Sequence, residues 1–155
     1  MHLEIERKFL VRKDLWFAIH KPQGEDIIQG YLVSEPSLTI RVRITGTNCT
    51  LTIKGPSQNA SRAEYEISIP AKDAHEILTT FTVSRIEKTR YRILYEGKTW
   101  EVDEFFGENE GLIIAEIELL SEDEAFKHPQ WLGEEVTTDE RYKNSYLASH
   151  PYQNW

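Results

Sequence analysis

The stretch Met1-His2-Leu3-Glu4-Ile5-Glu6-Arg7-Lys8-Phe9-Leu10 decides how the rest of the chain is read. In an extended strand successive side chains point to opposite faces, so Glu4, Glu6 and Lys8 share one side while Leu3, Ile5 and Phe9 share the other. Two carboxylates about 7 Å apart repel by roughly 2 kcal/mol at an effective dielectric of about 20, so this face calls for a cation between them. A metal ion is one candidate. A solvated outer sheet face is the other reading of a single such strand, and later strands decide between them.

Working outward, Leu38 to Thr45 alternates Leu38, Ile40, Val42 and Ile44 against Thr39, Arg41, Arg43 and Thr45. Further strands are predicted over Ile27 to Val33, Cys49 to Lys54, Arg62 to Ile69, Ile86 to Tyr95, Lys98 to Phe105 and Leu112 to Leu120. Helices are predicted at Lys13 to Ile19 and Ala71 to Phe81, the latter with an apolar stripe of Ala74, Ile77, Leu78 and Phe81 behind Pro70. Ser121 with Glu124, and Thr137 with Glu140, read as capping boxes opening two more helices, one ended by Pro129 and the other running from about Asp139 to Ser149. Residues 55 to 61 form a polar loop. With no internal repeat or linker, residues 1–155 read as one domain.

The charged parity of the strands collects eight acids (Glu4, Glu6, Glu64, Glu66, Glu101, Asp103, Glu116, Glu118) and eight bases (Lys8, Arg41, Arg43, Lys54, Arg62, Lys88, Arg90, Arg92). Solvated sheet faces intersperse signs, because like charges close together destabilise them. Here the signs are segregated by strand. That pattern fits a closed barrel with an ion-holding interior and its apolar parity outside under helices. Periodicity alone leaves a sandwich with these charges in water equally open.

Composition narrows the chemistry. The formal charge is −8 and the pI about 5.2, which disfavours non-specific nucleic-acid binding. No apolar run approaches the ~20 residues of a membrane span. The lone Cys49 and the absence of an apolar leader lead us to expect a soluble protein of the reducing cytoplasm. Rows of carboxylates suit Mg²⁺ or Mn²⁺, whereas the His and Cys clusters of zinc sites are missing from the sequence. Rows of Arg and Lys suit phosphate, and no P-loop is present. Bases on one wall and acids on the other describe a site for an elongated metal polyphosphate.

These residues resemble the triphosphate tunnel metalloenzymes, the CYTH superfamily. The matching motifs are E-x-E-x-K at Glu4, Glu6 and Lys8, R-x-R at Arg41 and Arg43, T-I-K-G with Lys54, and E-x-E at Glu64 and Glu66. K-x-R at Lys88 and Arg90, Asp103, and E-x-E at Glu116 and Glu118 complete the series in order along nearly the whole chain. The resemblance implies a mainly β fold with α elements (α+β): a closed eight-stranded antiparallel barrel, a tunnel open at both ends, helices packed outside and a C-terminal helix near one end. It implies metal ligation by Glu4, Glu6, Asp103, Glu116 and Glu118, and phosphate contacts from Lys8, Arg41, Arg43, Lys54, Lys88 and Arg90. Arg141 or Lys143 of the C-terminal helix would add a basic contact. Lys8 and Tyr31, taken to lie on neighbouring strands, resemble a lysine–tyrosine pair of short members that helps orient or deprotonate a water.

The short length resembles the bacterial tripolyphosphatases, so the expected reaction is metal-dependent hydrolysis of inorganic tripolyphosphate, a small-molecule substrate, with no nucleic-acid or membrane partner. Class IV adenylate cyclase-like and thiamine triphosphatase activities are the alternatives, along with a non-catalytic polyphosphate- or nucleotide-binding module. The inward parity carries no aromatic platform for a base or thiazole ring except Tyr31, which favours the inorganic substrate.

Overall fold

A computed structural model describes residues 2–82 and 85–155. Among these described residues nine strands and three short α-helices follow in the order β1 (His2–Val11), α1 (Lys13–Ala18), β2 (Glu25–Glu35), β3 (Leu38–Thr45), β4 (Asn48–Lys54), β5 (Ser61–Ser68), α2 (Ala71–Phe81), β6 (Arg85–Tyr95), β7 (Lys98–Phe105), β8 (Ile113–Glu118), β9 (Leu132–Glu135) and α3 (Asn144–Ser149). The strands hydrogen-bond in the order β5-β4-β3-β2-β6-β7-β8-β1-β9. β1 also pairs with β5, Leu3 opposite Ala63 and Glu4 opposite Arg62, and this closes eight strands into an antiparallel barrel. The barrel reading holds and the sandwich does not.

Closure decides which parity is inside. Val42 and Ile44 of β3, with Cys49 of β4, pack under Ala74 and Leu78 of α2, so the apolar parity is the outer one. Each such fully buried aliphatic side chain contributes about 1.5–3 kcal/mol relative to exposure. α2 lies so close to β2 that a Cβ on Gly30 would stand 2.7 Å from Leu78 Cδ1, which is why this strand carries a glycine there. Phe81 does not join the stripe; it sits at the last helical position and is 64 % exposed.

A second outer core gathers Phe9, Trp16, Trp100 and Trp131 edge to edge over β1, β7 and β8, with centroid separations of 5.3–5.9 Å along the chain of contacts from Phe9 to Trp16. This core explains the missing helix after Ser121. Glu124 Oε1 does turn back, accepting the Leu120 N–H at 2.6 Å, but only a turn follows. An extended course lets Phe126 reach Phe9 and Trp100, at 6.0 and 5.7 Å, while Trp131 reaches Trp16. Burying two aromatics outweighs a short helix that is marginal by itself. The same segment supplies β9, a strand the sequence reading missed, paired with β1 through Phe9–Glu135 and Val11–Leu132.

The last predicted helix is also broken. A single 3-10 turn, Glu140–Tyr142, is followed by Lys143 in extended conformation (φ −71°, ψ 136°), and α3 starts only at Asn144. Thr137 does not cap a helix: its hydroxyl accepts the Lys8 backbone N–H at 3.0 Å, and Asp139 takes the Arg141 N–H at 3.1 Å.

The inward parity itself changes character along the barrel. Beyond Lys8, Lys88, Asp103 and Glu116 come Leu10, Ile86, Phe105 and Ile114, and Leu147 and Ala148 of α3 pack onto this apolar ring. α3 therefore closes this end of the lumen, in place of a tunnel open at both ends. Among the described residues no helix is long and apolar enough to cross a membrane.

Candidate active site

Around the ring, β5, β1, β8 and β7 are contiguous, and so are β4, β3, β2 and β6. The first four carry the acids and the second four most of the bases, so the lumen has an acidic half facing a basic half. The lumen encloses about 990 Å³. Of the expected site residues, Glu4, Glu6, Lys8, Tyr31, Arg41, Arg43, Lys54, Lys88, Arg90, Glu116, Glu118 and Lys143 border it.

Two expected residues do not border it. Arg141 points outward, paired with Asp139 at 2.7 Å and lying over the Trp155 ring. The extended residue Lys143 instead turns its ammonium toward Glu140 (2.9 Å) and Ser57 (3.2 Å) at the cavity wall. Asp103 is buried beneath the lining, accepting Arg90 Nε at 2.7 Å, Arg90 Nη2 at 2.9 Å and Lys88 Nζ at 2.7 Å. It anchors two cations. Burial alone would raise its pKa, but Arg90 and Lys88 outweigh that and hold it far below the usual carboxylate range.

The basic half is under-neutralised. Arg41 is 8 % exposed, donates to Thr52 Oγ1 at 3.2 Å, and keeps a buried Nε with no hydrogen-bond partner. Arg43 Nε donates to the buried Gln29 carbonyl at 2.7 Å, and burial with Arg41 and Arg90 nearby pushes its pKa down to about 9. Neither arginine forms an ion pair among the described residues. Lys88, 2 % exposed, is pushed to about 7: burial lowers it, Asp103 pulls it back, and Arg90 and Arg43 lower it further. Buried cations without counter-ions destabilise a fold unless an anion arrives.

The acidic half shows the complementary deficit. Glu6 sits opposite Glu118 in register, with Lys8 opposite Glu116. Its pKa rises to about 8, from burial first and then repulsion by Glu116 and Glu4, only partly countered by Lys54 and Lys8. Glu4 is raised by burial and by its hydrogen bond with Glu64, although Lys54 Nζ lies 3.0 Å away. Such crowding of hard oxygen donors fits a divalent cation, which would relieve it. Among the described residues no three carboxylates converge into a ready-made cage, since Glu4 is turned to Lys54 and Glu116 to Lys8 at 3.7 Å.

Lys8 and Tyr31 are not on neighbouring strands: β1 and β2 stand four strands apart either way round the ring. The Lys8 ammonium donates to the Tyr142 carbonyl at 3.1 Å. Tyr31 accepts from Gln29 Nε2 at 3.0 Å, and the same Nε2 donates to Asn144 Oδ1 at 3.0 Å, which also takes Lys88 Nζ at 2.8 Å. Tyr31 is thus linked to Lys88. Gln29 and Asn144 were missed by the sequence reading. An amide on the inward parity of β2 was a usable signal for Gln29; Asn144 left none.

This closed eight-stranded barrel with a divided charged lumen belongs to the CYTH family: the CYTH domain matches residues 2–150. Membership implies dependence on a divalent metal ion. The chain is similar to a protein named inorganic triphosphatase from Acetivibrio thermocellus, 49% identical over 156 residues that cover 100% of this chain and 99% of that one. A protein of the same name from Nitrosomonas europaea is 42% identical over 149 residues, 94% and 96% of the two chains. The crystal structure of an inorganic triphosphatase superposes with a TM-score of 0.65 at 40% identity, covering 94% of this chain and 97% of that one.

Proposed function

We propose that the chain hydrolyses inorganic tripolyphosphate to pyrophosphate and phosphate with a divalent cation, Mg²⁺ or Mn²⁺. The observation that carries this is a pair of guanidiniums, Arg41 buried and Arg43 half-buried, without a carboxylate partner among the described residues, on the wall facing the acids. They supply charge-assisted hydrogen bonds to phosphate oxygens, with Lys54, Arg90 and Lys143 as further cations along the path. Glu4, Glu6, Glu116 and Glu118 would hold the cation, which when bound neutralises charge on the phosphate chain. The chain's own residues position the substrate and stabilise charge on the transferred and leaving groups.

In the reaction a water oxygen bonds to the terminal phosphorus as the bridging P–O bond breaks, and pyrophosphate leaves with the bond's electrons. Lys88 is the group suited to receive the water proton: it borders the lumen with its Nζ held by Asp103 and Asn144, and burial lowers its pKa toward neutrality. Tyr31 assists at that site in place of the Lys8–Tyr31 pairing. Tyr31 is the one aromatic among the described residues bordering the lumen, which leaves little to hold a nucleoside or thiamine ring. The test is phosphate and pyrophosphate release from tripolyphosphate, ATP, thiamine triphosphate and pyrophosphate with each metal. Faster turnover of ATP, or cyclic AMP as main product, overturns the inorganic substrate; binding without turnover of any of them overturns the enzyme.

A further inference from the structure

We propose that Gln29 and Asn144 form a positioning bracket that fixes how Lys88 and Tyr31 face the phosphate path and makes that geometry depend on the seating of α3. The inference rests on the triphosphatase reading above.

The orientations are determined by which groups can only donate. Arg43 Nε is such a donor, so the oxygen of the Gln29 amide faces it at 2.7 Å and the NH₂ faces the other way. Both amide hydrogens are then committed, one to Tyr31 Oη and one to Asn144 Oδ1, each at 3.0 Å. Gln29 is 0 % exposed, so water does not compete for these bonds. Since the Tyr31 oxygen accepts, its own O–H proton stays available to the lumen that Tyr31 borders.

Asn144 does the same for Lys88. Its Oδ1 takes one N–H of Lys88 at 2.8 Å while Asp103 takes another at 2.7 Å. A tetrahedral nitrogen with a carbon and two committed hydrogens has one direction left. That direction carries a lone pair on the amine or the third N–H on the ammonium, and in either state it is held in one place at the lumen wall. Asn144 is in turn the first residue of α3, whose Leu147 and Ala148 are buried in the apolar end of the barrel. Seating α3 therefore delivers the Asn144 oxygen to Lys88 and Gln29.

The experiment uses the full chain, with kcat and KM for tripolyphosphate under Mg²⁺ and the melting temperature of each variant. N144A should lower kcat by ~10-fold or more while KM stays within about threefold, because misplaced reacting groups act on the chemical step. N144D keeps an accepting oxygen but adds a carboxylate that raises the pKa of Lys88, so its kcat should recover to within about threefold of wild type once the pH is raised above neutral. Q29E keeps an oxygen for Arg43 but loses both donors, and should fall as far as N144A. The proposal is overturned by kcat within about twofold of wild type in folded N144A and Q29E, by a loss confined to KM, or by N144D no better than N144A at the raised pH. Should N144A not fold, Q29E and N144D decide it alone. A readout free of turnover is hydrogen exchange at the Gln29 side-chain amide: slow in wild type and fast in N144A is expected, and fast exchange in wild type overturns the bracket. A wild type with slow exchange that binds tripolyphosphate without hydrolysing it keeps the bracket and sinks the triphosphatase reading.

Discussion

Asp103→Asn separates the anchoring role seen in the structure from the metal-ligand role that the family resemblance implies. The wild-type carboxylate accepts three charge-assisted hydrogen bonds, two from Arg90 and one from Lys88, and is 2 % exposed. Asparagine offers one oxygen and turns two N–H donors toward groups that themselves only donate. Removing one partner of a buried ion pair destabilises by about 3–5 kcal/mol. Two features place this case at the low end. Lys88, already near pKa 7, sheds its proton once Asp103 is gone, and Arg90 retains Glu101 at 3.4 Å. A loss of about 3 kcal/mol lowers the melting temperature of a chain this size by roughly 6–12 °C. The assay is thermal and urea unfolding at neutral pH beside calorimetric titration with Mg²⁺ and Mn²⁺. A loss below about 1 kcal/mol, together with metal binding weakened tenfold or more, refutes the anchor and restores Asp103 to the metal site.

Three further outcomes are expected. Glu6→Gln and Glu118→Gln should each abolish metal-dependent turnover, and Glu6→Gln should leave the melting temperature unchanged or raised, because it removes a crowded carboxylate; normal activity and metal dependence in both would show the acidic wall is not the metal site. Trp16→Ala removes a 0 % exposed ring in contact with Tyr91 and Trp131 and should destabilise by about 3–5 kcal/mol in urea unfolding, with KM for tripolyphosphate unchanged. Glu135 has its pKa lowered by hydrogen bonds from Arg7, against a smaller upward push from burial, so its stabilisation is present above the unfolded carboxylate value and is lost as pH falls through the folded one. Melting curves of Glu135→Gln against wild type should converge toward the acid end of that window, and a gap that widens there contradicts the assignment.

What the sequence by itself determined is whatever depends on period and local chemistry. Alternation over Leu38 to Thr45 and Lys98 to Phe105 set those two strands to the residue, and Pro70 with the spacing of Ala74 and Leu78 did the same for α2. Segregated charge on one parity named the lumen residues, because side-chain direction in a strand has a period of two wherever the strand ends up. Only the tertiary structure decided strand order. Parity says that Lys8, Tyr31 and Lys88 face inward but not which stand on adjacent strands, so Lys8 and Tyr31 turn out four strands apart while Tyr31 is linked to Lys88 on the adjacent β6. Depth along the barrel was equally hidden. Asp103 shares a parity with Glu101 yet lies under Arg90 and Lys88, and the lumen is stoppered because Leu10, Ile86, Phe105 and Ile114 come to one level where α3 meets them. Capping signals at Ser121 and Thr137 failed for a related reason. A cap is worth about 1 kcal/mol, less than seating Phe126 and Trp131 in the aromatic core, and packing between distant segments overrides a local preference of that size.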